Sequence, residues 1–368
     1  MKFEEGIKDI ADDSRINFIA SATTPWHAHG VMASLQYLKM RGVMPVGYVF
    51  ILPHVQTGYV IDEHFFPSMQ SIVVKKIEKA PSSISNNLHK IYQSLWYTFL
   101  FAKKSEKRIV YYSEPWTIDA AQSGIIVRVF KNISLIHIVY DEGVSTYFPI
   151  QTKSRSLTEW SRNLFTKYVT FKYGYRHIIK KGRVISAKLF NSVGNIVEPN
   201  SLVVSFYAKS IKEYASQFVG PYNFQPNTVL FCTTAWNREE IVKDEDIKII
   251  KSVVGIVCSK GYNIVFKQHP RDKYFGDAYG EYPTLPQSHM SLESILLSSS
   301  QLPIAVISIS STILVTSKLF LDIKAIDLSK LLNISNIGRY KNEISSFSNA
   351  FGNYVISPHS IDELKSCL

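Results

Sequence analysis

The chain has 368 residues, 46% of them hydrophobic, and a formal net charge of +11. That length exceeds one comfortable core and that hydrophobic fraction excludes extensive disorder, so two globular domains are expected. The basic balance favours anionic partners, without choosing between nucleic acid, anionic lipid and a negatively charged substrate.

Residues 1–15 form a charged leader with no apolar stretch, so no signal peptide is expected. The run INFIA at 16–20 predicts a strand, and the polar stretch SATTPWHAHG at 21–30 predicts a loop. A helix follows with Val31, Leu35 and Leu38 on one face, and Gly42 just past its end. Strands are expected at 46–52, around Val73 and Val74, and at 108–116; 84–102 and 118–130 read as helices. The stretch 133–143, ISLIHIVYDEG, is an apolar strand that stops on two carboxylates and a glycine. Strands alternating with helices predict a parallel, doubly wound α/β sheet.

Residues 153–183 break this rhythm, with nine basic residues against the single acid Glu159 and six interleaved aromatics. Either this is a solvated helical face with its aromatics turned inward, or it is a surface for an anionic glycan or membrane. No nucleic-acid motif is present, so nucleic acid is not expected as a partner. The stretch 198–225 is mixed, and its turn formers at 220–227 place a domain boundary near residue 222. A second alternating series begins at once: strands at 228–234, 262–270, 302–312 and 324–327, and helices at 244–260, 292–297, after 312 and at 359–368. The division expected is an N-terminal domain over 1–222, a C-terminal domain over 223–345, and a helical segment at 346–368 that returns to the N-terminal domain.

Three cysteines, Cys232, Cys258 and Cys367, have neither metal-ligand spacing nor a disulfide framework. No window of ~18 uncharged apolar residues predicts a membrane span. Asp244-Glu245-Asp246 opens a predicted helix, where acids favour the dipole, and is read as a helix start rather than a metal site. No Walker A, GxGxxG, HExxH or GxSxG pattern occurs.

The chemistry gathers at the ends of predicted strands. Five end in reactive or ligand-binding types: Thr23 to His27, Asp141-Glu142-Gly143, Thr233-Thr234, His269-Pro270 and Ser310-Ser311-Thr312. In two doubly wound sheets facing each other, such ends line one cleft. The hydroxyls at 310–312 either cap the helix they open or leave its N–H groups to an anion. Pro270 favours an extended backbone at His269, and Lys267 and Arg271 add positive charge beside it. Asp141 and Glu142 would point to opposite sides of a continuing strand, so they are not a paired-carboxylate site.

In order and placement, Asp141-Glu142-Gly143, His269-Pro270 and Ser310-Ser311 resemble the motifs of bacterial sialyltransferases. The group they resemble is the one related to the capsular polysialyltransferases. The TTPWH segment after the first strand also looks like that group. The resemblance implies a GT-B fold, two Rossmann-like domains about a central cleft. It implies inverting transfer of sialic acid from CMP-sialic acid to a hydroxyl of a capsule or lipo-oligosaccharide glycan, with an anionic or galactose-terminated acceptor. Asp141 would be the base and His269 would assist the departing CMP. Ser310, Ser311, Thr312, Pro270, Lys267, Thr233 and Thr234 would hold the donor, and Thr24, His27, Glu142 and Gly143 the acceptor or sugar. No metal or other cofactor is expected. A cytoplasmic enzyme, peripheral on the inner face of the bacterial membrane, fits these readings. The competing readings are another GT-B nucleotide-sugar transferase and a basic non-enzymatic protein that binds anionic polymer or membrane.

Overall fold

The computed structural model describes residues 15–22, 24–51, 61, 65–66, 72–76, 107–112, 134–140, 147, 183–193, 196–217, 222–234, 244–269, 272, 279–285, 290–333 and 338–368. The helices expected at 84–102 and 118–130, the basic segment up to residue 182, and Asp141, Glu142, Gly143, Pro270 and Arg271 lie outside the described residues.

The first sheet takes its strands from β1 (Arg15–Ala22), β2 (Met44–Ile51), β3 (Ile72–Lys76), β4 (Lys107–Tyr112), β5 (Ser134–Tyr140) and β6 (Arg183–Ala187). Their order is β3-β2-β1-β4-β5-β6, and every neighbouring pair is parallel. Helix α1 (Pro25–Met40) connects β1 to β2 and buries Val31, Leu35 and Leu38. The strand order reverses direction between β1 and β4, the kind of switch point at whose C-terminal ends open α/β sheets bind ligands. The hairpin β7 (Phe190–Val193) and β8 (Ile196–Pro199) is antiparallel and leads into α2 (Ser201–Ala215).

The second sheet comprises β9 (Thr228–Cys232), β10 (Asn263–Lys267), β11 (Ala305–Ser308) and β12 (Lys324–Asp327), in the order β10-β9-β11-β12, again all parallel. Its helices are α3 (Asp244–Ser259), α4 (Leu292–Ser298) and α5 (Thr312–Leu321). Here the order reverses between β9 and β11. Strand β9 is buried on both faces, as a central parallel strand must be. Val229 and Phe231 join a core with Ile250, Val254 and Val257 of α3. The alternate residues Leu230 and Cys232 join the other core, the period of two expected of a strand.

That other core is continuous between the halves. It runs from Ala20, Val31 and Leu35 through Val203 and Tyr207 of α2 to Val306 and Leu314. Helix α2 packs against α1 on one side and against α4 and α5 on the other. After β12 a short 3-10 turn (Ser329–Leu331) precedes α6 (Gly338–Phe351). Phe351 of α6 meets the rings of Phe190 and Tyr147, so α6 sits on the first half. The last helix, α7 (Ile361–Cys367), instead adds Leu364 to the core of the second sheet.

Three local expectations change. The loop expected over 21–30 ends early, because Thr24 caps and Pro25 starts α1, so His27 and Gly30 are helical. The mixed stretch 198–225 holds a full helix, α2, capped by Asn200. Helix α6 starts at Gly338, before the segment expected from 346.

Candidate functional site

Strand register assembles the second half of the site. Lys267 stands beside Cys232, and Ile307 beside Phe231, so the loops after β10, β9 and β11 leave the sheet side by side. Side-chain bonds then tie them. Ser308 Oγ donates to the Cys232 carbonyl at 2.9 Å. The buried Thr233 takes its N–H to the Lys267 carbonyl at 3.0 Å and its Oγ1 accepts from the His269 N–H at 2.8 Å. The His269 carbonyl accepts from Asp272 N at 2.9 Å. His269 and Lys267 are both half-buried. Burial pushes the Lys267 amine down, while the neighbouring Cys232 opposes that shift. Burial pushes the Cys232 thiol up, reinforced by Glu293, so this cysteine is a packing residue and not a nucleophile.

The Ser310-Ser311-Thr312 loop lies across the same edge. Ser310 has φ of 41°, in the left-handed region, and its N–H donates to Asp327 Oδ1 at 2.8 Å. Its Oγ is buried, with no hydrogen-bond partner among the described residues. Ser311 is the N-cap of α5, yet its side chain makes no capping bond. By contrast, Thr24, Asn200, Ser291 and Ser360 each cap their helices through the side chain. The Ser311 hydroxyl is thus not spent on capping its helix. The α5 N-terminus, carrying roughly half a positive charge from the helix dipole, is of the kind that receives phosphate or carboxylate.

The first half contributes the N-terminus of α1 beside the end of β5. Thr24 Oγ1 accepts from His27 N at 3.3 Å, so this hydroxyl is a cap. His27 is buried, its ring 5.3 Å from that of Tyr140, the residue preceding Asp141 in sequence. Gly30 lets the elements close up: a Cβ there would overlap the Tyr207 hydroxyl and lie 3.2 Å from Tyr140 Cβ. The Trp26 ring packs tilted against Tyr207 at 5.3 Å and reaches Phe320 of α5 at 6.3 Å, bringing the start of α1 against the second half.

The second-half residues are therefore together, and His27 sits at the strand end that leads to the acidic motif. Thr234 follows Thr233 and is half-buried; Thr312 begins α5. Two acids of this edge were missed. Asp327 is fully buried at the end of β12. Glu293, in the first turn of α4, accepts from Thr316 Oγ1 at 3.1 Å, and burial pushes its carboxyl up. Asp327 had a signal, since KAID is another apolar strand ending in an acid. Glu293 had none beyond its place after an N-cap serine. Asp244 to Asp246 do open α3, and Asp246 accepts from Asn333 N at 2.6 Å.

A sequence model of the family Alpha-2,8-polysialyltransferase (POLYST) matches residues 23–330. No curated protein matches the chain significantly. Among solved structures, α/β-galactoside α-2,3-sialyltransferase from the luminous marine bacterium Photobacterium phosphoreum is 13% identical, with a TM-score of 0.52 over 93% of this chain and 98% of that one. UDP-GlcNAc 2-epimerase from Methanocaldococcus jannaschii is 12% identical, with a TM-score of 0.54 over 96% and 91%. The 2,6-sialyltransferase from Vibrionaceae Photobacterium sp. JT-ISH-224, solved with donor product CMP and acceptor substrate lactose, is 12% identical, with a TM-score of 0.52 over 93% and 78%. These likenesses establish the GT-B fold. With the family match spanning most of its length, the chain belongs to the alpha-2,8-polysialyltransferase family: it is a sialyltransferase, a glycosyltransferase that uses a nucleotide-sugar donor and a glycan acceptor.

Proposed function

We propose that this sialyltransferase takes CMP-sialic acid as donor and transfers the sugar, with inversion, to a hydroxyl of a capsule or lipo-oligosaccharide glycan. The observation that carries the reading is the joined edge of the second sheet. There His269 is tied to Thr233, beside an α5 N-terminus whose N-cap hydroxyl is uncommitted. In this reading the CMP phosphate meets Ser310, Ser311 and Thr312, with Lys267, Thr233, Thr234 and Pro270 around it. The glycosidic C–O bond breaks with its electron pair going to the phosphate, and His269 donates a hydrogen bond or proton to it. One preorganised donor of this kind is worth about 3 kcal/mol in the transition state. Asp141 removes the proton of the attacking acceptor hydroxyl, a general-base contribution of ~10²–10⁴-fold. Glu142, Gly143, Thr24 and His27 belong to the acceptor side, Thr24 by holding the start of α1.

The acceptor is anionic or galactose-terminated, and the net charge of +11 suits an anionic donor and glycan. The helices among the described residues include none long and apolar enough to cross a membrane. We place the enzyme at the inner face of the cytoplasmic membrane, held peripherally. Leaving-group charge is handled by side chains and the helix dipole, so transfer should proceed at an unchanged rate in excess chelator; a rate abolished by chelation and restored by a divalent ion contradicts that part. Replacement Asp141→Asn should lower transfer by about 10² or more while CMP affinity stays within about threefold. A fully active Asp141→Asn enzyme removes Asp141 as the base.

A further inference from the structure

The Ser310 turn needs a holder. Its φ of 41° is a conformation that glycine, asparagine and aspartate visit more readily than serine. Among the described residues, that holder is Asp327. Its Oδ1 accepts from Ser310 N at 2.8 Å and from Ser329 N at 3.1 Å, and its Oδ2 accepts from Ser329 Oγ at 2.6 Å. The carboxylate is itself fixed. Asp327 ends β12 in register with Ser308, its N–H donates to the Ile356 carbonyl at 2.8 Å, and the next N–H, of Leu328, donates to the Ser308 carbonyl at 2.9 Å. A fully buried carboxylate loses its hydration, and an apolar side chain would fill the same space at less cost. Its hydrogen bonds therefore point to a task, and the one backbone outside its own turn that it holds is that of Ser310.

We propose that Asp327 is the positioning residue of the donor site. It holds Ser310 in the left-handed turn, so that the chain enters α5 with the Ser311 hydroxyl and the first N–H groups of the helix available to the donor phosphate. The inference rests on the reading above, in which that phosphate binds at Ser310 and Ser311. It adds a residue that touches neither donor nor acceptor and acts through the backbone of one that does.

The test uses the full-length chain, with CMP binding by calorimetry, KM for donor and acceptor, and a thermal melt to confirm folding. Replacement Asp327→Ala should weaken CMP binding and raise the donor KM by about tenfold, with acceptor KM unchanged. Replacement Asp327→Asn, whose amide oxygen still accepts both N–H groups, should keep CMP affinity within about threefold of wild type. Glycine adopts the left-handed φ unaided, so Asp327→Ala combined with Ser310→Gly should bind CMP within about threefold of Ser310→Gly alone. Asp327→Glu, which keeps the charge but shifts the oxygens by a methylene, replaces the alanine variant if that does not fold. Unchanged CMP affinity in a folded Asp327→Ala protein, or no relief from glycine at 310, overturns the proposal. Wild-type protein that binds no CMP removes the donor-site reading itself, which separates the two failures.

Discussion

His29 faces inward from α1 with the rings of Phe65 and Tyr214 at 5.1 and 5.5 Å and Ser210 Oγ at 3.5 Å from Nδ1. Burial alone lowers its pKa from 6.5 to about 3. The folded state thus prefers the neutral ring, while the unfolded chain takes up a proton below its ordinary value. The stability this residue allows is full above pH 6.5 and is lost as pH falls toward 3, with a slope of at most ~1.4 kcal/mol per pH unit. Denaturant unfolding between pH 7 and 4 should therefore show a steeper loss for wild type than for His29→Phe; equal slopes would contradict the assignment. His29 also shows where single residues were legible. With 21–30 expected as loop, nothing in the sequence marks His29 as buried; the helix start at Thr24-Pro25 is what turns both His27 and His29 inward. Asp327 is harder to see for a different reason: its strand, KAID, has only four residues, so its terminal acid stands out less than Asp141 does after a long apolar run.

Among the elements, strands were the most readable, since a parallel strand buried on both faces is a short apolar run. Helix α2 carries its signal in a less obvious form. Asn200 caps it, and Val203, Phe206, Tyr207, Ser210, Ile211 and Tyr214 are buried at helical spacing. Tyrosines and a serine in the stripe hide it, because it packs against three helices rather than a sheet. Helix α6 offered a narrower stripe, Ile344, Phe347 and Phe351, whose partners lie far back in the chain. That packing has a measurable weight. Phe351 is fully buried against Phe190, Tyr147 and Phe347, so Phe351→Ala should cost about 3–5 kcal/mol in denaturant unfolding. A loss under about 1 kcal/mol would show that α6 is not anchored on the first half as its ring contacts imply.

For the whole molecule, order and register do what no single motif could. Each motif is two or three residues long and ordinary by itself. Parallel strands put every C-terminal end of a sheet on one edge, and the reversal between β9 and β11 sets Thr233 beside the Ser310 loop. The register of β9 with β10 then sets His269 next to Thr233. On the first half, α1 delivers His27 to the end of β5, and Trp26 carries the same helix start to α5. The family match covers both groups of motifs, and the fold is of the GT-B type. The central claim is that this edge moves sialic acid from CMP to a glycan hydroxyl. Mass analysis of a reaction containing the enzyme, CMP-sialic acid and sialylated and galactose-terminated acceptors tests it most directly. The account predicts acceptor masses rising by whole sialic acid residues with one CMP released per residue added; acceptors left unchanged by protein that binds CMP would contradict it.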